Sequence, residues 1–178
     1  MPADALLVID AQVAVLAGCK RQVETVAVIA ELERRARAAK ALVLHVQHNA
    51  PGSALEHGAP AWAIIPGLTP VAGEMRIDKT ACDAFSETPL AEILRDQGVA
   101  CVAVCGLQTD YCIDTSVRAA VSAGFDVILA ADGHTTGDGV LTAEQIIAHH
   151  NHVLGRLAHA HRRVWVRPGA EIPFTQRA

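Results

Sequence analysis

Cys112 stands where an apolar strand gives way to a helix, in the run Val104-Cys105-Gly106-Leu107-Gln108-Thr109-Asp110-Tyr111-Cys112-Ile113-Asp114-Thr115. In the first turn of a helix the backbone N–H groups lack carbonyl partners and the local field is positive. A cysteine there is predicted to hold a stabilised thiolate. A sulfur at the carboxyl end of a buried strand is placed to attack an electrophilic carbon. It needs a base, because an ordinary thiol is mostly protonated at neutral pH. No histidine lies beside Cys112 in the sequence, so a papain-type pair has no local signature. Asp10 ends the apolar run Ala5-Leu6-Leu7-Val8-Ile9. It is the candidate base, taking the thiol proton and later activating a water.

The elements that would carry these residues alternate. After the first strand, Val26, Ile29, Leu32, Ala36 and Ala39 recur every three or four residues, which predicts an amphipathic helix from about 22 to 40. Further strands are predicted at 41–46, 74–77, 99–105, 126–130 and 163–166. Helices are predicted from Thr88-Pro89, from Cys112 to about Ala123, and from a Thr142-x-x-Gln145 capping box to about His159. Such alternation predicts a doubly wound, three-layer α/β domain: a mainly parallel six-stranded sheet in the order 3-2-1-4-5-6. That order sets strands one and four side by side at the switch point, so Asp10 and Cys112 face one crevice. The whole chain is expected to form a single domain.

Composition narrows the function classes. Of 178 residues, 51% are hydrophobic and only 3% aromatic, as in a sheet covered on both faces. No apolar run is long enough to span a membrane, and a net charge of −4 without a basic block speaks against nucleic acid as a partner. The start MPADALL has no basic n-region, so no signal peptide is expected. Five cysteines without zinc spacing are expected to be reduced, in a cytoplasmic protein. Cys101 and Cys105 share one strand face as small hydrophobes.

Three separated motifs together resemble the isochorismatase-like cysteine hydrolases, which include nicotinamidases, N-carbamoylsarcosine amidohydrolases and streptothricin hydrolases. They are Asp10-Ala11-Gln12 at a strand end, Glu74 to Lys79 followed by Asp83 and Phe85, and Gly106, Thr109, Cys112 and Ser116 around the helix start. Spacing alone does not single out Lys79. The resemblance implies an Asp10–Lys79–Cys112 triad, with Lys79 reaching inward from a loop. It also implies a cis peptide before Gln108 and an oxyanion hole made by the N–H groups of Gln108 and Cys112. The implied reaction is hydrolysis of a non-peptide C–N bond in a small amide, imide or carbamoyl substrate through a thioester. No redox cofactor is implied. The nicotinamidase metal motif Asp-x-His has no counterpart in His45-Val46-Gln47-His48-Asn49, so neither metal nor nicotinamide is carried over. A homo-oligomer is expected, since relatives assemble.

Two other readings stay open: a vinyl-ether hydrolase of the isochorismatase type, which needs no cysteine, and a catalytically silent ligand-binding or scaffold domain. Gln12, Trp62 and Phe85 are candidate substrate contacts, and Trp62 and Phe85 serve as well for core packing. His149 and His150 are predicted to face the sheet or a subunit interface. With His152 they lack a carboxylate or thiol at ligand spacing.

Overall fold

The computed structural model describes residues 1–176. Strands β1 (Ala5–Ile9), β2 (Leu42–His48), β3 (Met75–Lys79), β4 (Cys101–Leu107), β5 (Asp126–Thr135) and β6 (Val164–Arg167) form one sheet. Their order is β3-β2-β1-β4-β5-β6, and every pairing is parallel, as predicted. The strands read as unbroken apolar runs because both faces are covered. In β1, Ala5, Leu7 and Ile9 enter one apolar cluster while Leu6 and Val8 enter the other. Helix α2 (Gln22–Ala38) packs Ile29, Leu32 and Ala36 on one face. Helices α3 (Leu90–Asp96), α4 (Asp114–Ser122) and α5 (Ala143–Leu154) cover the other with Leu94, Val117, Val121 and Leu154. A single turn, α1 (Val13–Leu16), follows β1. Among the described residues, no helix is long and apolar enough to cross a membrane, and all five cysteines are free.

Gly106 fixes how closely β4 approaches β1. It pairs with Ile9, its φ is +127°, and a Cβ there would lie 1.9 Å from the Ile9 carbonyl oxygen. No other residue type fits that crossing. The strands on either side therefore deliver their ends, Asp10 and Gln108, to one place.

Several boundaries differ from the predicted ones. Strands β2 and β4 begin a residue or two late and run two residues further, through Gln47-His48 and Gly106-Leu107. β5 runs on to Thr135 across an irregularity in its pairing with β4. These carboxyl ends are polar or glycine, yet they keep their ladder bonds. Lys79 is consequently the last residue of β3, paired with His48, and not a loop residue. Cys112 does not begin a regular helix. It lies in a π-helical turn over Thr109–Ile113, closed by the Ile113 N–H on the Gln108 carbonyl at 3.1 Å, and α4 starts at Asp114. The Thr142–Gln145 capping box forms as read, but α5 ends at Leu154, before Gly155. On it His149 is exposed and does not face the sheet. Asn151 turns inward instead and donates to the Ala131 carbonyl at 3.0 Å.

One buried polar cluster lies away from the carboxyl edge, between α2 and β2. Arg37 grips Glu74 at 2.7 Å and approaches Glu33 at 3.1 Å without hydrogen-bond alignment. His45 Nε2 lies 3.8 Å from Glu33 and 3.6 Å from Glu74. Burial pushes Glu33 from 4.5 up to about 7 and His45 from 6.5 down to about 4. The two act in opposite directions on stability. The Glu33 contribution is complete below about 4.5 and is lost as pH rises to about 7. The His45 contribution is complete above about 6.5 and is lost as pH falls to about 4. Their slopes oppose across the shared window. Glu33→Gln is expected to remove the loss on the alkaline side, worth on the order of 1–3 kcal/mol between pH 5 and 8, and to leave an acid-side decline. Urea midpoints at about pH 4, 6 and 8 check this. Parallel pH profiles for the wild type and Glu33→Gln would refute it.

Candidate active site

The ends of β1, β3 and β4 meet at one buried ammonium. Lys79 is extended, and its side chain is fully excluded from solvent. Its Nζ donates to Asp10 Oδ2 at 2.7 Å, to the Ala81 carbonyl at 2.9 Å and to Cys112 Sγ at 3.2 Å. His48 Nδ1 lies 3.3 Å from the same nitrogen. Asp10, at the end of β1, takes a left-handed conformation with φ of 49°, which aspartate tolerates better than most side chains. Its other oxygen, Oδ1, is buried and has no hydrogen-bond partner. Asp10, His48 and Cys112 each place an atom within 4.8 Å of the others.

The electrostatics set where the protons rest. Burial raises the Asp10 carboxyl, against the attraction of Lys79. Burial also raises the Cys112 thiol, and the Asp10 charge raises it further; Lys79 opposes both. These shifts favour a neutral thiol at Cys112, beside the Asp10–Lys79 ion pair. This corrects the expectation of a preformed thiolate at a helix N-terminus. The π turn separates Cys112 from α4, and desolvation in the pocket outweighs a helix-end effect of about 1 kcal/mol. Burial and then Lys79 hold the His48 imidazole below its ordinary value, so it is neutral near pH 7.

A cavity of about 190 Å³ opens over the sulfur, lined by Asp10, Val15, His48, Cys82, Tyr111 and Cys112, with Leu55 and Gln108 completing it. A larger cleft of about 650 Å³ shares Gln108 and Tyr111 as walls and continues along Thr136, Leu141 and His150. The peptide bond Leu107–Gln108 is cis. On the far side of the π turn, a neutral chain fixes the sulfur-bearing segment. The Thr109 hydroxyl bonds His134 Nδ1 at 2.9 Å, and His134 Nε2 bonds Asn151 Oδ1 at 3.0 Å. Asn151 Nδ2 donates to Ala131, so its oxygen must accept. His134 therefore carries its proton on Nε2 and accepts from Thr109.

The structure brings Asp10, Lys79, Cys112 and Gln108 together and leaves the three candidate substrate contacts outside the cavity. Gln12 is fully buried, donating to the carbonyls of His48 and Trp62 at 3.1 and 2.8 Å and accepting from the His48 N–H at 2.8 Å. Trp62 packs on His57 with ring centroids 4.3 Å apart and lines a separate hollow with Gln47 and Arg76. Phe85 stacks on Phe125 at 6.1 Å, against the apolar core. Of the residues that do line the cavity, Tyr111 was legible as an aromatic one position before Cys112. His48 ends β2 and Leu55 follows it, neither with any local signal.

Asp10, His48 and Cys112 are types that bind a soft divalent ion. The Lys79 ammonium stands within 3.3 Å of an atom of each, and its positive charge opposes a cation there, so the set does not fit a resident metal.

A streptothricin hydrolase of Streptomyces noursei is 37% identical over 141 residues, 77% of this chain and 56% of that protein. A ureidoacrylate amidohydrolase of Methylorubrum extorquens is 28% identical over 88 residues, 49% of this chain and 36% of that one. The chain spans about half the length of the first of these relatives, or less of the second. A crystal structure of an isochorismatase from Pseudomonas putida KT2440 superposes with a TM-score of 0.87 at 32% identity, covering 97% of this chain and 93% of that one. Residues 4–162 match the isochorismatase domain, and the chain belongs to that family of hydrolases.

Proposed function

We propose that the protein is a cysteine-dependent hydrolase of a non-peptide C–N bond in a small amide, imide or carbamoyl compound. The observation that carries this reading is the Lys79 ammonium bonded to both Asp10 and Cys112 beneath an open cavity. The streptothricin hydrolase and the ureidoacrylate amidohydrolase among its relatives support amide cleavage. A vinyl-ether hydrolase gives no reason to set a thiol against a carboxylate and a lysine.

The chemistry follows from the proton positions. Asp10 Oδ1, unpartnered, accepts the Cys112 proton as sulfur adds to the carbonyl carbon. The oxyanion is met by the N–H groups of Gln108 and Cys112, and one such donor is worth about 10²–10³ in rate. Asp10 returns the proton to the departing nitrogen, the C–N bond breaks and a thioester remains. Asp10 then takes a proton from water, the hydroxide adds, and the acid leaves with the thiol restored. Lys79 offsets the charge on Asp10 and sulfur throughout and keeps its own three protons.

Screening small amides, ureas and lactams tests the reading, with Cys112→Ala as control. Turnover is expected to fall by about 10⁴-fold or more in that variant. An activity untouched by the substitution overturns the thiol mechanism. The pH dependence has a definite sign. Asp10 must be ionised to accept the proton, and burial raises its value. The acid limb of kcat/KM is expected above the ordinary carboxylate range and absent from any residual activity of Asp10→Asn. Lys79→Met leaves Asp10 buried without its counter-charge and is expected to cost about 3–5 kcal/mol in stability. The double variant Asp10→Asn/Lys79→Met, read by urea midpoint, is expected to recover part of that loss.

A further inference from the structure

The buried ammonium faces more acceptors than it has protons. Lys79 Nζ carries three N–H bonds and no lone pair, and four acceptors stand within hydrogen-bond distance. Asp10 Oδ2 and the Ala81 carbonyl are oxygens at 2.7 and 2.9 Å. Cys112 Sγ at 3.2 Å and His48 Nδ1 at 3.3 Å compete for the third proton. An ammonium can only donate, so in a hydrogen bond between the two His48 Nδ1 is the acceptor and the ring proton sits on Nε2.

We propose that His48 is a positioning residue that receives the third proton-donor bond of Lys79 whenever Cys112 sulfur is capped, and that Gln12 holds His48 in register for this. The proposal rests on the thioester reading above. While sulfur carries negative charge it is the stronger acceptor and takes the bond. Once sulfur is bonded to an acyl carbon its lone pairs are poor acceptors. A buried ammonium left with an unmade bond is costly. Rotation about the last Lys79 torsion moves that N–H from sulfur to His48 Nδ1, and no proton changes owner. Lys79 then stays on Asp10 while Asp10 activates water, so the effect falls on thioester hydrolysis and not on its formation.

Two further features fit this role. His48 is held by its main chain on both sides by one side chain, since Gln12 accepts from its N–H and donates to its carbonyl. Its ring faces Lys79 and the cavity, beside the Ala81 main chain. The imidazole is also neutral near pH 7, so the Nδ1 lone pair is available.

Nitrogen-15 spectra of histidine-labelled protein test the switch without any substrate. In a Cys82→Ser background, methyl methanethiosulfonate caps Cys112 as a methyl disulfide, which adds no oxygen to compete for Lys79. In the capped protein the His48 Nδ1 resonance, identified by its absence in His48→Asn, is expected upfield of a free unprotonated ring nitrogen, as an acceptor of the Lys79 N–H. A resonance at the position of a free unprotonated nitrogen, or a proton on Nδ1, overturns the proposal. With a substrate from the amide screen, His48→Phe is expected to slow thioester hydrolysis at least tenfold more than thioester formation. The acylated protein then accumulates and is visible in intact mass. His48→Asn places an acceptor oxygen near the Nδ1 position and is expected to restore turnover. Equal slowing of both steps, or no difference between Phe and Asn, overturns the role of His48. A screen without any Cys112-dependent turnover counts against the hydrolase reading alone, and the spectra still decide the switch.

Discussion

The buried Lys79 ammonium is the constraint around which this edge of the sheet is organised. A charge removed from water must be met by acceptors in good geometry or it destabilises the fold by several kcal/mol. Four different segments supply them: the end of β1, the end of β2, the turn after β3 and the π turn after β4. A lysine on an outer strand is long enough to reach past β2 to a carboxylate on β1. The sheet order and Gly106 bring the remaining partners to it, because only glycine allows β4 to lie so close to Ile9. The site is therefore also a fold determinant, and substitutions in it act on stability and chemistry together.

Charge placement also decides what kind of cysteine this is. A helix end alone is worth about 0.3–1 kcal/mol to a nearby charge. Cys112 sits two residues before α4, inside a π turn, under a carboxylate and out of water. Burial and the Asp10 charge both favour the neutral thiol, and they prevail over Lys79. In the proposed reaction the nucleophile exists only while Asp10 holds its proton, and so only when a carbonyl is present to receive the sulfur. A thiol kept protonated at rest is also less exposed to oxidation, which follows thiolate character.

Much of this was legible from residue order. Apolar runs and their spacing gave six parallel strands in the right sequence, and hence the convergence of Asp10 with Cys112. The strand ends were misjudged for one physical reason. A run of apolar residues marks the buried middle of a strand, whereas Gln47, His48, Asp78 and Lys79 remain in the ladder although they are polar. Those are the positions where side chains emerge at the carboxyl edge, so the signal fades where the chemistry begins. Lys79 could be found only by resemblance, and nothing in the residue order gave His48 its place beside that lysine. Gln12 and Trp62 carry polar atoms that read equally as ligand contacts. Gln12 in fact bonds the main chain of His48 and Trp62, a pairing 36 and 50 residues away that no local pattern encodes.

The polar groups around the site divide by charge, and the division explains how one edge can be both rigid and reactive. The centre is ionic and over-supplied with acceptors, so its bonds can be exchanged without leaving a Lys79 proton unmet. Two neutral, matched arrangements flank it. Gln12 holds β2 on one side, and the Thr109–His134–Asn151 chain holds the sulfur-bearing turn on the other. Burial keeps His134 far below an ordinary imidazole, at about 4, so protonation does not disturb that chain near neutral pH. Matched neutral bonds have one satisfied arrangement and fix geometry. A three-proton cation among four acceptors has two, and the difference between them is the state of the Cys112 sulfur.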